Sequence, residues 1–316
     1  MKKKVIALSM AAMMAASLTA CGGGEAETTA AATEAATEAA TTQSAETEKD
    51  TEAAGETEGE STAEVTTVNE GKLTVATSPD FAPYEFYAIG ADGTPQLAGF
   101  DMALAQYIAD DLGLELEVVT VDFDGVLAEL AAGNVDLGMA GLSPDPARAD
   151  AMDFSDLYYM GGQSLVTTAE NAEVYNTFEA VNKPEVTVGA QVGSIQMDLA
   201  NENSPEADII GLPKVTDIIT ELLTGKMDAA YIETDVALCY QKNYPDLAVV
   251  LDVPYDSEGS AIGVAKGNEG LMEAVNASIA KAIEDGSMEK FIAEANELAS
   301  GEKYEGLLDA EGNIQE

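Results

Sequence analysis

The 316-residue chain contains a single arginine, Arg148, in the stretch GLSPDPARAD (141–150), beside 13 lysines and 58 acidic residues. A guanidinium offers a planar fork of N–H donors that grips a carboxylate with two parallel hydrogen bonds, which a lysine ammonium does not reproduce. The arginine follows the end of a predicted strand, where α/β sheets bind ligands. Arg148 is therefore a candidate for recognising a ligand carboxylate. A surface salt bridge to Asp150 or Asp153 is the alternative, and spacing alone does not decide between the two.

Aromatic residues follow two other predicted strands. The stretch SPDFAPYEFY (78–87) holds Phe81 and Tyr84, and VDFDG (121–125) holds Phe123. Aromatic faces suit a flat or aliphatic ligand side chain, and they also hold a cation. Each ring alone is more typical of a core, but rings at several strand ends favour a pocket.

The composition excludes several kinds of chemistry. The chain has no histidine, no Gly-rich phosphate loop and no Cys/His metal set, so we expect neither a cofactor nor a catalytic metal. A catalytic cysteine usually needs a histidine base, so Cys239 is interpreted as a packed residue. Residues 70–316 carry 10 basic and 46 acidic side chains, a net charge of −36, which argues against nucleic-acid or anionic-membrane binding. With so many acids, any carboxylate pair is weak evidence for an enzyme.

Hydrophobic periodicity predicts alternating strands and helices. The predicted strands are 72–77, 115–121, 135–140, 185–190, 207–212, 227–232, LAVVLDV and SAIGVAKG. The predicted helices are 99–113, 124–133, one from Ser194, 216–224, 234–242, 269–285 and 287–299. This order predicts an α/β fold with largely parallel sheets.

An internal echo indicates two similar halves. ELAAGNVD (129–136) and ELLTGKMD (221–228) share the pattern E-L-x-x-G-x-x-D, 92 residues apart. Each is interpreted as a helix ending at glycine, followed by a strand that opens with aspartate. Two lobes of one topology would produce this echo, and chance similarity of two helix–strand turns is the alternative.

The N-terminal region is predicted to lie outside the folded body. Residues 1–20 combine three lysines, an apolar run and small residues, as a secretory signal peptide does. Leu18 to Cys21 (LTAC) resembles a bacterial lipobox, which implies cleavage before Cys21 and a diacylglyceride on its sulfur. The rest of 21–69 is predicted to be a disordered tether, because 25–64 holds 11 Glu and no Leu, Ile, Val or aromatic residue. An acidic binding tail is the alternative.

The motifs of the folded part, taken in order, resemble those of one family. The run from TSPDFAPYEFY through GFD, DGVL, GNVD and SPDPAR to DFSDLYY is similar to the first lobe of the bacterial extracellular solute-binding proteins, family 3. VGAQVGSIQ (188–196) and MDAAYIETDVAL (227–238) resemble the second-lobe motifs. The resemblance runs from about Lys72 to the final helices. It implies an α/β, two-lobed, periplasmic-binding-protein-like (type II) venus-flytrap fold with a hinge of two crossings.

The resemblance also implies roles for individual residues. Arg148 would grip the α-carboxylate of a free amino acid, with Ser143, the backbone at Gly141 and the Gly193–Ser194 helix start beside it. Glu233 stands where the family usually has an aspartate for the α-ammonium. The remaining ligand-binding positions that the resemblance implies are Phe81 and Phe123 on either side of the ligand side chain, with Ser78, Gln191 and Gln196.

The sequence departs from the family pattern at several of these positions. Relatives for basic amino acids often carry an acid where this chain has Ser78, which weakens the case for lysine or arginine. Asp80 or Glu85 is a candidate to compensate. Positions 140–141, where small hydroxyl residues are common, hold Ala and Gly, and Glu233 is a methylene longer than aspartate. The class of ligand is unaffected, but its identity is open.

Lobe boundaries follow from the resemblance. Lobe 1 is predicted to comprise 70–160 plus 257–300, lobe 2 to comprise 164–253, and 301–316 to form a C-terminal tail. The crossings, near YMGGQS and VPYDSEGS, are rich in Gly and Ser and are expected to act as hinges.

The predicted function is that of a substrate-binding lipoprotein, not an enzyme, that delivers a free, polar amino acid to the permease subunits of an ABC importer. We expect a monomer, anchored to the cell membrane only by its lipid and facing the extracellular or periplasmic side. The alternatives are an enzyme on the same fold, either dehydratase-like or acting on cell-wall glycans, with Glu233 or Asp80 as the acid/base, and a ligand-sensing domain.

Overall fold

The computed structural model describes residues 65–90, 93–256 and 259–300, so the predictions for the signal peptide, Cys21, most of the tether and the tail lie outside the described residues. The strands are β1 Lys72–Thr77, β2 Asp80–Phe81, β3 Glu85–Ile89, β4 Pro95–Ala98, β5 Glu115–Thr120, β6 Leu137–Gly138, β7 Met152–Tyr159, β8 Gln163–Thr168, β9 Thr187–Gln191, β10 Asp208–Leu212, β11 Ala229–Glu233, β12 Leu247–Asp252 and β13 Ser260–Ala265. The helices are α1 Phe100–Leu112, α2 Phe123–Ala131, α3 Phe178–Val181, α4 Ile195–Asn203, α5 Val215–Leu223, α6 Thr234–Asn243, α7 Glu269–Glu284 and α8 Ser287–Ala299. Short 3₁₀ turns lie at Pro146–Arg148 and Ala169–Asn171.

Two five-stranded sheets form the centres of two lobes. Lobe 1 has the strand order β5-β1-β6-β13-β7, and lobe 2 has the order β10-β9-β11-β8-β12. Helices α1, α2, α7 and α8 pack on the first sheet and on one another, and α4, α5 and α6 pack on the second. The sheets bury β-branched and aliphatic side chains, so that five of the six residues in β1 are buried. The predicted boundaries of the lobes remain predictions.

The internal echo marks the same turn in both lobes, which confirms the prediction of one repeated topology. In lobe 1 the Asp136 N–H donates to the Thr74 carbonyl over 2.9 Å, and the Asp136 Oδ2 accepts from the Thr74 N–H over 2.8 Å. In lobe 2 Asp228 makes the same pair of bonds with Thr187, both over 2.9 Å. Each aspartate therefore fastens the turn before a central strand to the parallel strand beside it, β1 in lobe 1 and β9 in lobe 2.

The expectation of largely parallel sheets is wrong for half of the strand pairs in the two five-stranded sheets. β5, β1 and β6 run parallel, as do β10, β9 and β11, but β13 and β8 run antiparallel to both of their neighbours. These two strands are the ones that enter each lobe from the other lobe, so they run against the local order. Alternation of strand and helix in the sequence does not carry that information.

The sequence patterns also missed a small third sheet, β2-β3-β4, and the strands β7 and β8. β2 has two residues and β4 has four, which is too short for periodicity to register. Chain crossings between lobes fall between β7 and β8 and between β12 and β13. No helix among the described residues is both long enough and apolar enough to cross a membrane.

Candidate functional site

The carboxyl ends of the parallel strands in both sheets meet at the boundary between the lobes. In lobe 1 the chain leaves β1, β5 and β6 toward this boundary, and in lobe 2 it leaves β9, β10 and β11. Four helices begin there: α2 in lobe 1 and α4, α5 and α6 in lobe 2. Strand ends and helix N-termini of this kind supply backbone N–H groups and side chains to a ligand.

Arg148 reaches from lobe 1 to lobe 2. It closes the 3₁₀ turn after β6, and its Nη2 donates to the carbonyl oxygen of Gly193, at the start of α4, over 3.0 Å. Its guanidinium carbon lies 5.9 Å from the centre of the Phe123 ring, within range of a cation–π contact. The side chain is only 11% exposed. The guanidinium is therefore held at the boundary, with donors left for a further acceptor.

Neither of the two salt bridges offered as the alternative role for Arg148 forms. Within the described chain, Arg148 is paired with Asp145, at 3.7 Å from Nε, and not with Asp150 or Asp153. Asp153 pairs with Lys266 on lobe 1. Burial lowers the pKa of Arg148, and the negative charge of Asp145 opposes that shift. Desolvation of a cation is costly unless an anion offsets it, so this environment favours an incoming carboxylate.

Glu233 is also buried at the boundary, 3% exposed at the end of β11. Its Oε1 accepts from the Tyr84 hydroxyl of lobe 1 over 3.2 Å and from the Gly162 N–H over 3.3 Å, and its Oε2 caps α6 through the Val236 N–H at 2.8 Å. Burial, followed by the charge of Asp235, raises the pKa of Glu233 to about 8. Glu233 thus touches the opposite lobe, and a cation beside it would lower that pKa.

Two aromatic residues of lobe 1 lie beside Glu233. The Phe81 ring lies 5.4 Å from the Tyr84 ring, whose hydroxyl bonds to Glu233. Gly141 adopts a positive φ of 56°, and a Cβ there would stand 2.7 Å from the Phe81 ring. The close approach requires glycine at 141. Its N–H is already donated to Asp101 over 3.1 Å, so this N–H is not free for a ligand carboxylate.

Ser78 is tied to Asp80 rather than free. Its hydroxyl donates to the Asp80 Oδ1 over 2.7 Å, and the Gln191 Nε2 of lobe 2 donates to the Asp80 Oδ2 over 3.4 Å and to the Pro213 carbonyl over 3.0 Å. Asp80, one of the two acids considered as substitutes for a missing acid at 78, is thus already engaged. The other, Glu85, is fully buried inside lobe 1, where burial and the neighbouring Asp101 raise its pKa.

Ser194 and Gln196, two of the remaining predicted positions, have structural partners. Ser194 caps α4 by accepting from the Met197 N–H over 3.3 Å, and its hydroxyl donates to the Gln191 carbonyl over 2.7 Å. The Gln196 Nε2 donates to the Gln163 Oε1 over 2.8 Å. Ser143 is buried in the loop after β6. Of the predicted residues, Arg148, Gln191 and Glu233 therefore contact the opposite lobe. Ser194 and Gln196 form their hydrogen bonds within lobe 2.

A cavity of about 560 Å³ opens between the lobes beside Ser78. Arg148 and Glu233 lie outside its lining. The lining residues are Ser78, Pro79, Asp80, Tyr87, Thr120, Val121, Asp122, Asp124, Gly125, Ala128 and Lys214.

Sequence reasoning missed three of the four charged lining residues and one contact residue. Asp122 and Asp124 flank Phe123 and are exposed to the cavity, while Lys214 enters from lobe 2. Tyr84 was noted only as an aromatic residue, because its bond to Glu233 depends on where the second lobe lies. The DFD spacing around Phe123 was the one available signal for the two acids. No group of three or more acidic, cysteine or histidine side chains in the described chain is arranged to hold a metal.

Comparisons with known proteins agree with this architecture. The family model of the bacterial extracellular solute-binding proteins, family 3, matches residues 73–295. The arginine-binding extracellular protein ArtP of Bacillus subtilis is 33% identical over 223 residues, which cover 69% of this chain and 84% of that protein. A cyclohexadienyl dehydratase of Pseudomonas aeruginosa is 28% identical over 183 residues, covering 58% of this chain and 67% of the enzyme.

Solved structures give the same result. The amino acid ABC transporter substrate-binding protein AbpA of Streptococcus pneumoniae, solved bound to L-arginine, superposes with a TM-score of 0.70 at 36% identity. The match covers 73% of this chain and 97% of that protein. The lobes, the boundary site and the family match over most of the folded part lead to one conclusion: the chain belongs to the bacterial extracellular solute-binding proteins, family 3.

Proposed function

We propose that this protein captures one free amino acid between its lobes and delivers it to the permease of an ABC importer. The observation that carries the proposal is the lone arginine, Arg148, buried at the lobe boundary over Phe123 and in contact with Gly193 of the opposite lobe. An α-carboxylate there would take the free donors of the guanidinium and offset its desolvation. Glu233 is the group proposed for the α-ammonium. The relatives named for arginine, and the structure solved with it, support this assignment.

The cavity favours a polar ligand side chain, with a cationic one first. Asp122 and Asp124 are exposed in its wall, and Lys214 is its one basic lining residue. Since Asp80 is hydrogen-bonded to lobe 2 and Glu85 is fully buried inside lobe 1, Asp122 and Asp124 are the acids available to compensate for the acid missing at position 78. L-Arginine is therefore the first ligand to test.

A thermal-shift screen tests the proposal. The purified chain is heated with each of the twenty L-amino acids and with ornithine, citrulline and cystine. A ligand that binds only the folded state adds about 2.7 kcal/mol at a hundredfold excess over Kd. We expect a clear rise in Tm with one or a few polar amino acids, arginine among them. The absence of a shift with every compound would overturn the proposal.

The second candidate is an enzyme of the dehydratase type. Two observations favour it: the dehydratase relative, and the raised pKa of about 8 at Glu233, which suits a general acid. The test is whether the wild type turns over a candidate substrate that Glu233→Gln still binds but no longer converts. Loss of amino acid binding without any turnover would favour the receptor.

We further propose that the protein acts outside the cytoplasm as a monomer, held at the cell membrane by a lipid on Cys21. The family name supports an extracytoplasmic place, and the LTAC motif supports the anchor. Labelled palmitate supplied to cells is expected to enter the wild-type protein and not Cys21→Ser. Equal labelling of both would refute the anchor.

A further inference from the structure

Helix α5 begins at the lobe boundary without a capping side chain of its own. Its N-cap residue is Lys214, whose side chain makes no capping hydrogen bond. A lysine ammonium has no acceptor to offer, and a cation is unfavourable at the positive end of a helix. The two other lobe 2 helices that begin at this boundary are capped from within, α4 by Ser194 and α6 by Glu233.

Asp80 of lobe 1 supplies what α5 lacks. Its Oδ2 accepts from the Val215 N–H, the first of α5, at 2.5 Å, and from the Gln191 Nε2 at 3.4 Å. Its backbone carbonyl accepts from the Tyr240 hydroxyl of α6 over 3.1 Å. Ser78 donates to the other carboxylate oxygen and orients the group from its own lobe. One residue of lobe 1 thus receives hydrogen bonds from three elements of lobe 2.

All of these contacts join protein groups of the two lobes. Asp80 is 7% exposed, so its bonds to Val215 and Gln191 are shielded from water, where hydrogen bonds to a charged group are strongest. If the lobes part, the carboxylate loses those two donors and α5 loses the anion at its N-terminus. Closing the lobes therefore supplies the N-terminal cap that α5 lacks.

We propose that Asp80 is a latch that stabilises the closed arrangement of the lobes before a ligand binds. A ligand held by both lobes binds the closed form, so its apparent affinity scales with the fraction of protein already closed. Asp80 is in this sense a positioning residue: it acts on the ligand through the position of lobe 2.

Amide hydrogen exchange of the ligand-free chain tests the latch directly, without reference to any ligand. In Asp80→Ala we expect the Val215 N–H to exchange at least about tenfold faster, since one charge-assisted bond is lost. The Thr187 N–H, bonded to Asp228 within lobe 2, serves as the reference and should keep its rate. The matched control is Asp136→Ala, which removes a buried acid whose two backbone bonds, to Val68 and Thr74, stay within lobe 1.

The control separates the latch from general destabilisation. Unchanged Val215 exchange in Asp80→Ala would overturn the proposal, and so would equal acceleration of Val215 in Asp136→Ala. Should Asp80→Ala fail to fold, Asp80→Asn keeps the volume and one acceptor. It is expected to give a smaller acceleration in the same direction, and no acceleration would again refute the latch.

A second readout rests on the proposed function. With the amino acid that the thermal screen identifies, Asp80→Ala should raise the Kd about tenfold, and Asp136→Ala should leave it within about twofold. An unchanged Kd in Asp80→Ala together with a fast-exchanging Val215 would mean that the contact is not coupled to closure. If no amino acid binds at all, the exchange result still decides whether Asp80 protects the Val215 N–H across the lobe boundary, which the latch requires. Unchanged exchange would therefore refute the latch even then, so the two proposals fail separately.

Discussion

Replacing Arg148 by lysine isolates the contribution of the guanidinium fork. The substitution keeps a positive charge at the boundary but gives up the planar pair of donors and the 3.0 Å bond to the Gly193 carbonyl. One charge-assisted hydrogen bond to a buried carboxylate contributes about 1.5–3 kcal/mol. Since every 1.4 kcal/mol is a factor of ten, we expect the Kd of an amino acid to rise roughly 10- to 150-fold in Arg148→Lys.

Isothermal titration calorimetry with two ligands checks this magnitude. L-Arginine carries the α-carboxylate, and agmatine is the same molecule without it. If Arg148 binds the carboxylate, the variant loses affinity for arginine but binds agmatine as weakly as the wild type does. The reasoning is refuted if Arg148→Lys binds arginine as tightly as the wild type. An equal loss of affinity for both ligands would also refute it, because the arginine would then support the cleft and not the carboxylate.

Two further predictions concern the residues beside this arginine. The pKa of Glu233 is raised from 4.5 to about 8, so the folded state holds its proton where the unfolded state has released it. The stability of the ligand-free protein should therefore fall as the pH rises from 6 to 8, by up to about 1.4 kcal/mol per unit, and Glu233→Gln should flatten that slope. Urea unfolding at a series of pH values measures it, and equal slopes in both proteins would contradict the assignment. Gly141→Ala should cost at least about 1–2 kcal/mol in the same assay, because φ is +56° and the new Cβ meets the Phe81 ring. If Gly141→Ala were as stable as the wild type, the loop at 141 would shift away from Phe81 at no cost, which would contradict this prediction.

The repeated architecture could be predicted from the sequence because both lobes contain the same aspartate-bonded turn between a helix and a strand. Asp136 and Asp228 each fasten a turn to the neighbouring parallel strand, which requires an acid at one position after a helix that ends at glycine. Periodicity also gave most helices to within a few residues, and α1 ends at Gly113 in the left-handed conformation, as its glycine stop indicated.

Strand direction and the short strands could not be predicted in this way. β8 and β13 run against their neighbours because they arrive from the opposite lobe, and β2 is only two residues long. Because the antiparallel pair of β2 and β3 was not predicted, the directions of the Asp80, Tyr84 and Glu85 side chains could not be assigned. The sequence therefore left open which acid compensates for the acid that relatives carry at position 78.

Contacts across the lobe boundary were the least predictable part of the site. Asp80 and Val215 are 135 positions apart, and their contact exists only when lobe 2 has closed on lobe 1. The same is true of Tyr84 with Glu233, 149 positions apart. Residue types at strand ends predict which groups reach the boundary, but their pairing depends on the relative position of two separately folded sheets.

The most direct test of the central claim is a crystal structure of the protein with the amino acid that stabilises it most in the thermal screen. We predict an α-carboxylate about 3 Å from the Arg148 guanidinium nitrogens, with the ligand side chain between Phe81 and Phe123. The α-ammonium should lie beside Glu233. A ligand bound away from the lobe boundary, or an Arg148 whose polar partners in the complex are still only Gly193 and Asp145, would contradict the account.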